Sequence, residues 1–188
     1  MSNMLLNKKE AEIIGEFSSD YHKKVYGRDI ARKLNLNQKT VANILNNLEE
    51  KDILKFTQEG RNKYYFLNTF NTHMKEIIKI IEINRKLKFL NKNKKLRDLF
   101  GKLEQRTKGL LIVFGSYASG TQTKNSDLDL FVVDQISEID DLEELYKVKI
   151  NIVKSSKNKF NEKETIIKEI IKNHIILKGI EDSVELIW

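Results

Sequence analysis

"FGSYASGTQTKNSDLDLFVV" occupies residues 114–133. It begins where the wholly apolar run "GLLIVF" (109–114) ends, and a second apolar run closes it. A short apolar run bounded by glycines reads as a central strand. Asp127 and Asp129 stand at the entrance of the next strand. Side chains two residues apart on a strand point to the same side. Two carboxylates therefore share one edge of a buried element, which is costly unless something positive compensates them.

The flanks build an α/β unit around this pair. "LRDLFGKLEQRT" (96–107) puts Leu96, Leu99, Phe100 and Leu103 on one helical face. "SEIDDLEEL" (137–145) reads as a solvated acidic helix, with Glu143 and Glu144 near the site in sequence. "YKVKINIVKSS" (146–156) reads as a strand, with Val148, Ile150 and Ile152 on one side and Lys147, Lys149, Asn151 and Val153 on the other. A helix is expected over about 162–173, its face made by Ile166, Ile167, Ile170 and Ile171, with Lys168 and Lys172 on the polar side. "HIILKG" and "SVELIW" then read as short extended pieces, and Trp188 as a core or interface anchor. His174 has no carboxylate or second histidine at ligand spacing, so no metal is assigned to it.

Gly115-Ser116, a ten-residue spacer and Asp127-Leu128-Asp129 between two apolar strands resemble the nucleotidyltransferase superfamily that includes DNA polymerase β, in particular its minimal stand-alone members. The resemblance covers about residues 96–153. It implies transfer of a nucleoside monophosphate from a triphosphate, ATP first among them, to a hydroxyl, with Asp127 and Asp129 holding Mg²⁺. Mg²⁺ prefers oxygen ligands and binds one or two carboxylates plus substrate phosphates. Two such ions with bound nucleotide can activate the acceptor and stabilise the departing pyrophosphate. Gly115 would let the backbone approach a phosphate, and Ser116 would donate its hydroxyl to it. Free N–H groups of a short helix at "SYAS" would aim at the same anion. Related minimal enzymes modify proteins or RNA, and some are antitoxins that adenylylate a toxin. The family's third carboxylate is expected at Asn151, and an asparagine cannot take a proton. Nucleotide binding is thus better supported than turnover, and a nucleotide-sensing, catalytically weak or inactive transcription regulator is the alternative.

The first half has another character. "NKKEAEIIGEFSS" (7–19) carries a helical face of Ala11, Ile14 and Phe17 with Ile13 alongside. Ile30, Ala31 and Leu34 form a short helical stripe, "NLN" (35–37) breaks it with Leu36 as an apolar plug, and Asn37 can cap the helix that follows. Val41, Ile44, Leu45 and Leu48 face one way on that helix. "ILKFTQEGRNKYYFLN" (53–68) reads as two strands around a Glu-Gly turn. Over residues 7–68 this resembles the winged helix-turn-helix family. The resemblance implies DNA binding, with Gln38, Lys39, Thr40 and Asn43 on the recognition helix toward bases and Arg61 and Lys63 on the wing toward phosphates.

"FNTHMKEIIKIIEINRKLKFL" (70–90) is apolar over too wide a face for a simple surface helix. It packs on both domains or pairs with a second copy, so a homodimer is a further expectation. His73 beside its start reads as surface. The expected plan is α+β: a winged helix-turn-helix at 1–68, a long linking helix and linker at 69–95 ending in "NKNKK" (91–95), and a nucleotidyltransferase α/β domain with a small mixed sheet at 96–188.

The net charge of +7 is uneven. Residues 1–90 hold 17 Lys+Arg against 11 Asp+Glu, and residues 91–188 hold 17 against 16. A basic first half beside a near-neutral second half fits an anionic polymer bound by the first. The chain has no cysteine, which excludes disulfides, thiol catalysis and zinc-thiolate sites. No apolar stretch approaches the roughly 18 residues that span a bilayer, and the start turns charged too early for a signal peptide. A cytoplasmic protein without a membrane partner is expected.

Overall fold

A computed structural model describes residues 6–157 and 165–187. The chain divides into two compact units, one up to Ile81 and one from Glu82. No helix among the described residues is long and apolar enough to cross a membrane.

The first unit begins with α1 (Lys8–Ile14). Asn7 caps it by accepting from the Lys9 and Glu10 amides, and Glu10 reaches back to the Asn7 amide at 2.8 Å. Such a reciprocal box satisfies orphan N–H groups at the helix start. Glu10 is buried and paired with Lys51 at 2.6 Å. Next come α2 (Gly27–Lys33) and α3 (Gln38–Glu50). The turn between them is built by Asn35 at φ 52°, with Leu36 N–H donating to Ala31 O at 2.9 Å. That 6→1 bond marks a Schellman ending, here with asparagine rather than glycine in the left-handed position. The end of α3 repeats it: Asp52 has φ 60°, and Ile53 N–H donates to Leu48 O. Asn37 caps α3 through Lys39 N–H at 2.8 Å, and Val41, Leu45 and Leu48 are fully buried.

The wing is the hairpin β2 (Leu54–Glu59) and β3 (Asn62–Leu67), closed by Gly60-Arg61. A two-residue strand preceding it in the chain, β1 (Val25–Tyr26), pairs with β3 and completes an antiparallel sheet of order β1-β3-β2. The N-terminal unit is thus a winged helix-turn-helix. The helix α4 (Met74–Lys92) contains the boundary between the units. Along it Ile77, Ile78 and Ile81 are buried, while Ile83 and Leu87 are exposed. His73 is exposed at its start.

In the second unit α5 (Arg97–Arg106) leads into β4 (Thr107–Phe114), followed by the short helix α6 (Gly115–Ser119) and β5 (Leu128–Ile136). Then follow α7 (Asp140–Tyr146), β6 (Ile150–Ser155), α8 (Thr165–Lys172), β7 (Ile175–Lys178) and α9 (Ile180–Ile187). The sheet order is β6-β5-β4-β7, with β5 and β6 parallel and the other pairs antiparallel. It is the small mixed sheet the sequence leads one to expect. One face buries Leu111, Val113, Leu130 and Val132 against Leu99, Phe100 and Leu103 of α5. The other buries Leu110, Ile112, Phe131 and Val133 against Ile167 and Ile170 of α8.

One reading is corrected. "SVELIW" is not extended: residues 180–187 form α9. Val184 and Leu186 alternate with polar residues, which imitates a strand. With Ile180 included the spacing is helical, and Ile180, Leu186 and the buried Val184 serve one packed helix. Trp188, expected as an anchor, and residues 162–164 of the expected tail helix lie outside the described residues.

Candidate functional site

The carboxylate pair sits where three strand ends meet. β4 ends at Phe114, which pairs with Asp129 on β5, and Asp129 in turn pairs with Asn151 on β6. Asn151 Nδ2 donates to Asp129 Oδ1 at 3.1 Å and to Asp127 Oδ2 at 3.3 Å. Lys149 Nζ lies 3.6 Å from Asp127 Oδ2. The two aspartates therefore share one edge, as strand parity requires, and they face an amide and an ammonium.

Gly115 has φ +67°, and a Cβ there would lie 2.4 Å from Asp129 Oδ2. Only glycine both adopts that backbone and leaves room for the carboxylate. The chain turns at Gly115 directly from β4 into α6. Ser116 follows, half-buried, and its Oγ makes no hydrogen bond among the described residues. Gly120 closes α6 at φ 76° in the left-handed cap position. The rest of the spacer is held locally: Thr123 N–H donates to Ser126 Oγ at 2.9 Å, and Gln122 Nε2 to Asn93 Oδ1 at 3.1 Å. Tyr117 anchors α6 in the core, and burial pushes its phenol pKa up.

The four residues expected at a nucleotide site, Gly115, Ser116, Asp127 and Asp129, thus lie at one end of one sheet. Glu143 is committed elsewhere, accepting from the Ile150 amide at the start of β6. Glu144 is exposed. No cluster of three or more His, Cys, Asp or Glu able to hold a metal occurs among the described residues. Two carboxylates side by side suit a hard divalent cation that takes its remaining ligands from phosphates and water.

The second unit also holds a buried polar network, whose link to His174 has no signal in the sequence pattern. Glu82, fully buried, accepts from Arg85 Nη1 at 2.8 and 2.9 Å. Arg85 Nη2 donates to His174 O at 2.6 Å. His174 Nδ1 donates to Ile171 O at 2.6 Å, and Nε2 lies 3.1 Å from Arg85 Nη1 and 3.3 Å from Glu82 Oε2. His174 precedes β7, so the network ties α4, the end of α8 and the start of the edge strand together.

In the first unit, Gln38, Lys39, Arg61 and Lys63 line one cleft of about 460 Å³ between the start of α3 and the wing. Arg28, Tyr26 and Asn46 join them. No carboxylate lines the cleft, and Arg28, Lys39, Arg61 and Lys63 form no ion pair among the described residues. Thr40 is half-buried and Asn43 exposed, and both stand outside this lining. Arg28 escapes a reading centred on the second helix, since it belongs to the first turn of α2. A concave, uncompensated cationic surface suits a polyanion.

Comparison with known proteins bears on the second unit. Residues 93–177 match the family model described as "Nucleotidyltransferase domain", a class of transferases whose general chemistry starts from a nucleoside triphosphate. No curated protein matches the chain. Among solved structures, AF1382 from Archaeoglobus fulgidus is similar at 27% identity, over 43% of this chain and 88% of that one, with a TM-score of 0.36. The adhesin competence repressor AdcR of Streptococcus pyogenes is similar at 21% identity, over 51% of this chain and 69% of that one, at a TM-score of 0.41. A toxin–antitoxin structure with AMP-PNP is similar at 21% identity, over 55% of this chain and 78% of that one, at 0.35.

Proposed function

We propose that the protein is a Mg²⁺-dependent nucleotidyltransferase that moves a nucleoside monophosphate from a triphosphate, ATP first among the candidates, to a hydroxyl on a protein or RNA acceptor. The observation that carries this reading is the pair Asp127 and Asp129 brought together beside the Gly115 turn. The two carboxylates would hold the cation, and the cation would bring the triphosphate with it. Gly115 and Ser116 serve the phosphates, with the Ser116 hydroxyl, unpartnered among the described residues, as donor. Bond formation to the α-phosphorus expels pyrophosphate. The N-terminal winged helix brings this chemistry to DNA, with Gln38, Lys39, Thr40 and Asn43 toward bases and Arg61 and Lys63 toward phosphates. The uncompensated cleft supports the phosphate contacts and adds Arg28 to them. Exposed Ile83 and Leu87 on α4 support pairing of two chains, and the cytoplasm is the proposed compartment.

A second reading has its own support. Asn151 stands beside the aspartates where a carboxylate would serve transfer, which favours a regulator that senses the nucleotide without turning it over. The deciding experiment incubates the protein, Mg²⁺ and each α-labelled triphosphate with host extract, beside the Asp127→Asn, Asp129→Asn double variant. Label on a protein or RNA with the wild type alone establishes transfer. Magnesium-dependent binding without label on any acceptor leaves the sensing regulator.

A further inference from the structure

Asn151 is exposed on β6, so packing does not select its side chain. Its neighbours do. Ionised carboxylates only accept hydrogen bonds. The amide therefore presents nitrogen to both, and Nδ2 stands at the point that Asp127 Oδ2 and Asp129 Oδ1 both face. Lys149 adds a positive charge 3.6 Å from Asp127. Amide and ammonium together do for the ion-free pair what a cation would do.

Turning the amide by half a rotation about its last side-chain bond exchanges nitrogen for oxygen. Asn151 then changes from a donor satisfying the carboxylates to an oxygen ligand beside them. With the amide turned, the site offers one divalent ion two carboxylates and an amide oxygen. A second ion would find no further carboxylate on β6, and the Lys149 ammonium stands 3.6 Å from Asp127 Oδ2. We propose that Asn151 restricts this site to a single divalent cation, the one carried in with the triphosphate, and that its amide turns over when that cation arrives. This inference rests on the reading that the site binds a metal–triphosphate complex. It adds a consequence for the acceptor: the proton of an attacking hydroxyl has no carboxylate at position 151 to receive it.

The test counts ions rather than turnover. Full-length wild type, Asn151→Asp and Asn151→Ala are titrated with Mn²⁺ in the presence of α,β-methylene-ATP, and bound Mn²⁺ is read by electron paramagnetic resonance. The expected result is one ion for the wild type, two for Asn151→Asp, and one more weakly held ion for Asn151→Ala. In parallel, the side-chain amide resonance of Asn151, assigned by its loss in Asn151→Ala, shifts when Mg²⁺ and nucleotide are added together. Two ions on the wild type, or one on Asn151→Asp, overturns the inference and leaves the transfer reading standing. One ion on the wild type without label transfer keeps the inference and removes the transfer reading. No metal-dependent nucleotide binding by any variant overturns both.

Discussion

Replacing Gly115 by alanine separates the backbone role of this residue from its role beside Asp129. The φ of +67° is left-handed, and a side chain there costs about 1–2 kcal/mol. The added Cβ would meet Asp129 Oδ2 at 2.4 Å and Cγ at 3.3 Å, where ordinary contact begins at 3.4 Å. The carboxylate oxygen must retreat by ~1 Å, and a displacement of that size at a reacting centre can cost about a hundredfold in rate. The retreat also disturbs the 3.1 Å bond from Asn151. Gly120→Ala is the control. Its φ of +76° carries a similar backbone cost, but its Cβ meets only the flexible end of Lys92. Urea unfolding should show both variants losing about 1–2 kcal/mol. Magnesium-dependent triphosphate binding and transfer should collapse in Gly115→Ala alone. A Gly115→Ala protein that binds and transfers like Gly120→Ala would refute the coupling of this glycine to Asp129.

Glu82→Ala leaves Arg85 and His174 without their buried anion. Loss of one partner from such a pair costs roughly 3–5 kcal/mol, so urea unfolding of the second unit should shift by a large fraction of its stability, and an unshifted curve would refute a structural role. Asp141 is held below its ordinary 3.8 by the hydrogen bond from Arg106, and Asp98 by those from Tyr146 and then Lys102. A carboxyl lowered in the folded state adds stability above its unfolded pKa and loses it as pH falls through the folded value. Because both groups are exposed the effect is small. Asp141→Asn combined with Asp98→Asn should flatten the loss of stability below pH 3.8, and urea titrations on either side of that pH check it. Arg61→Ala with Lys63→Ala should weaken duplex DNA binding and reduce the salt slope by about 0.9 for each phosphate the wing no longer neutralises. Equal affinity at every salt concentration would remove the wing from the DNA interface.

What can be read ahead of the structure depends on how local its cause is. The stripe Val41, Leu45, Leu48 and the cap Asn37 act within one helix, so α3 is legible to its first residue. The alternation along residues 53–68 likewise declares the wing. β1 is two residues long and exists only because β3 offers it an edge, so no periodicity could announce it. The turn after α2 is legible in Asn-Leu-Asn at 35–37, whereas the end of α3 uses Asp52 where glycine would be the obvious signal. α9 is misread because a reading that starts at Ser183 cuts off Ile180, the residue that turns an alternating pattern into a helical one. Glu82 and Arg85 stand three apart on α4, but His174 lies some ninety positions further on, and nothing local to it reveals that pair.

The candidate site divides along the same line. Strand parity alone sets Asp127 and Asp129 on one side and turns Asn151 away from Ile150 and Ile152, so those side chains are legible from spacing. Which residue of β6 stands opposite Asp129 is a matter of register, and that is fixed by tertiary pairing. The same holds for Gly115. Its place before Ser116 invites a phosphate-binding account, whereas its positive φ and the missing room for a Cβ tie it to Asp129 across the sheet. A phosphate role alone would tolerate any small residue able to make the turn. The contact with Asp129 would not, because it makes the shape of the turn and the position of the carboxylate a single constraint.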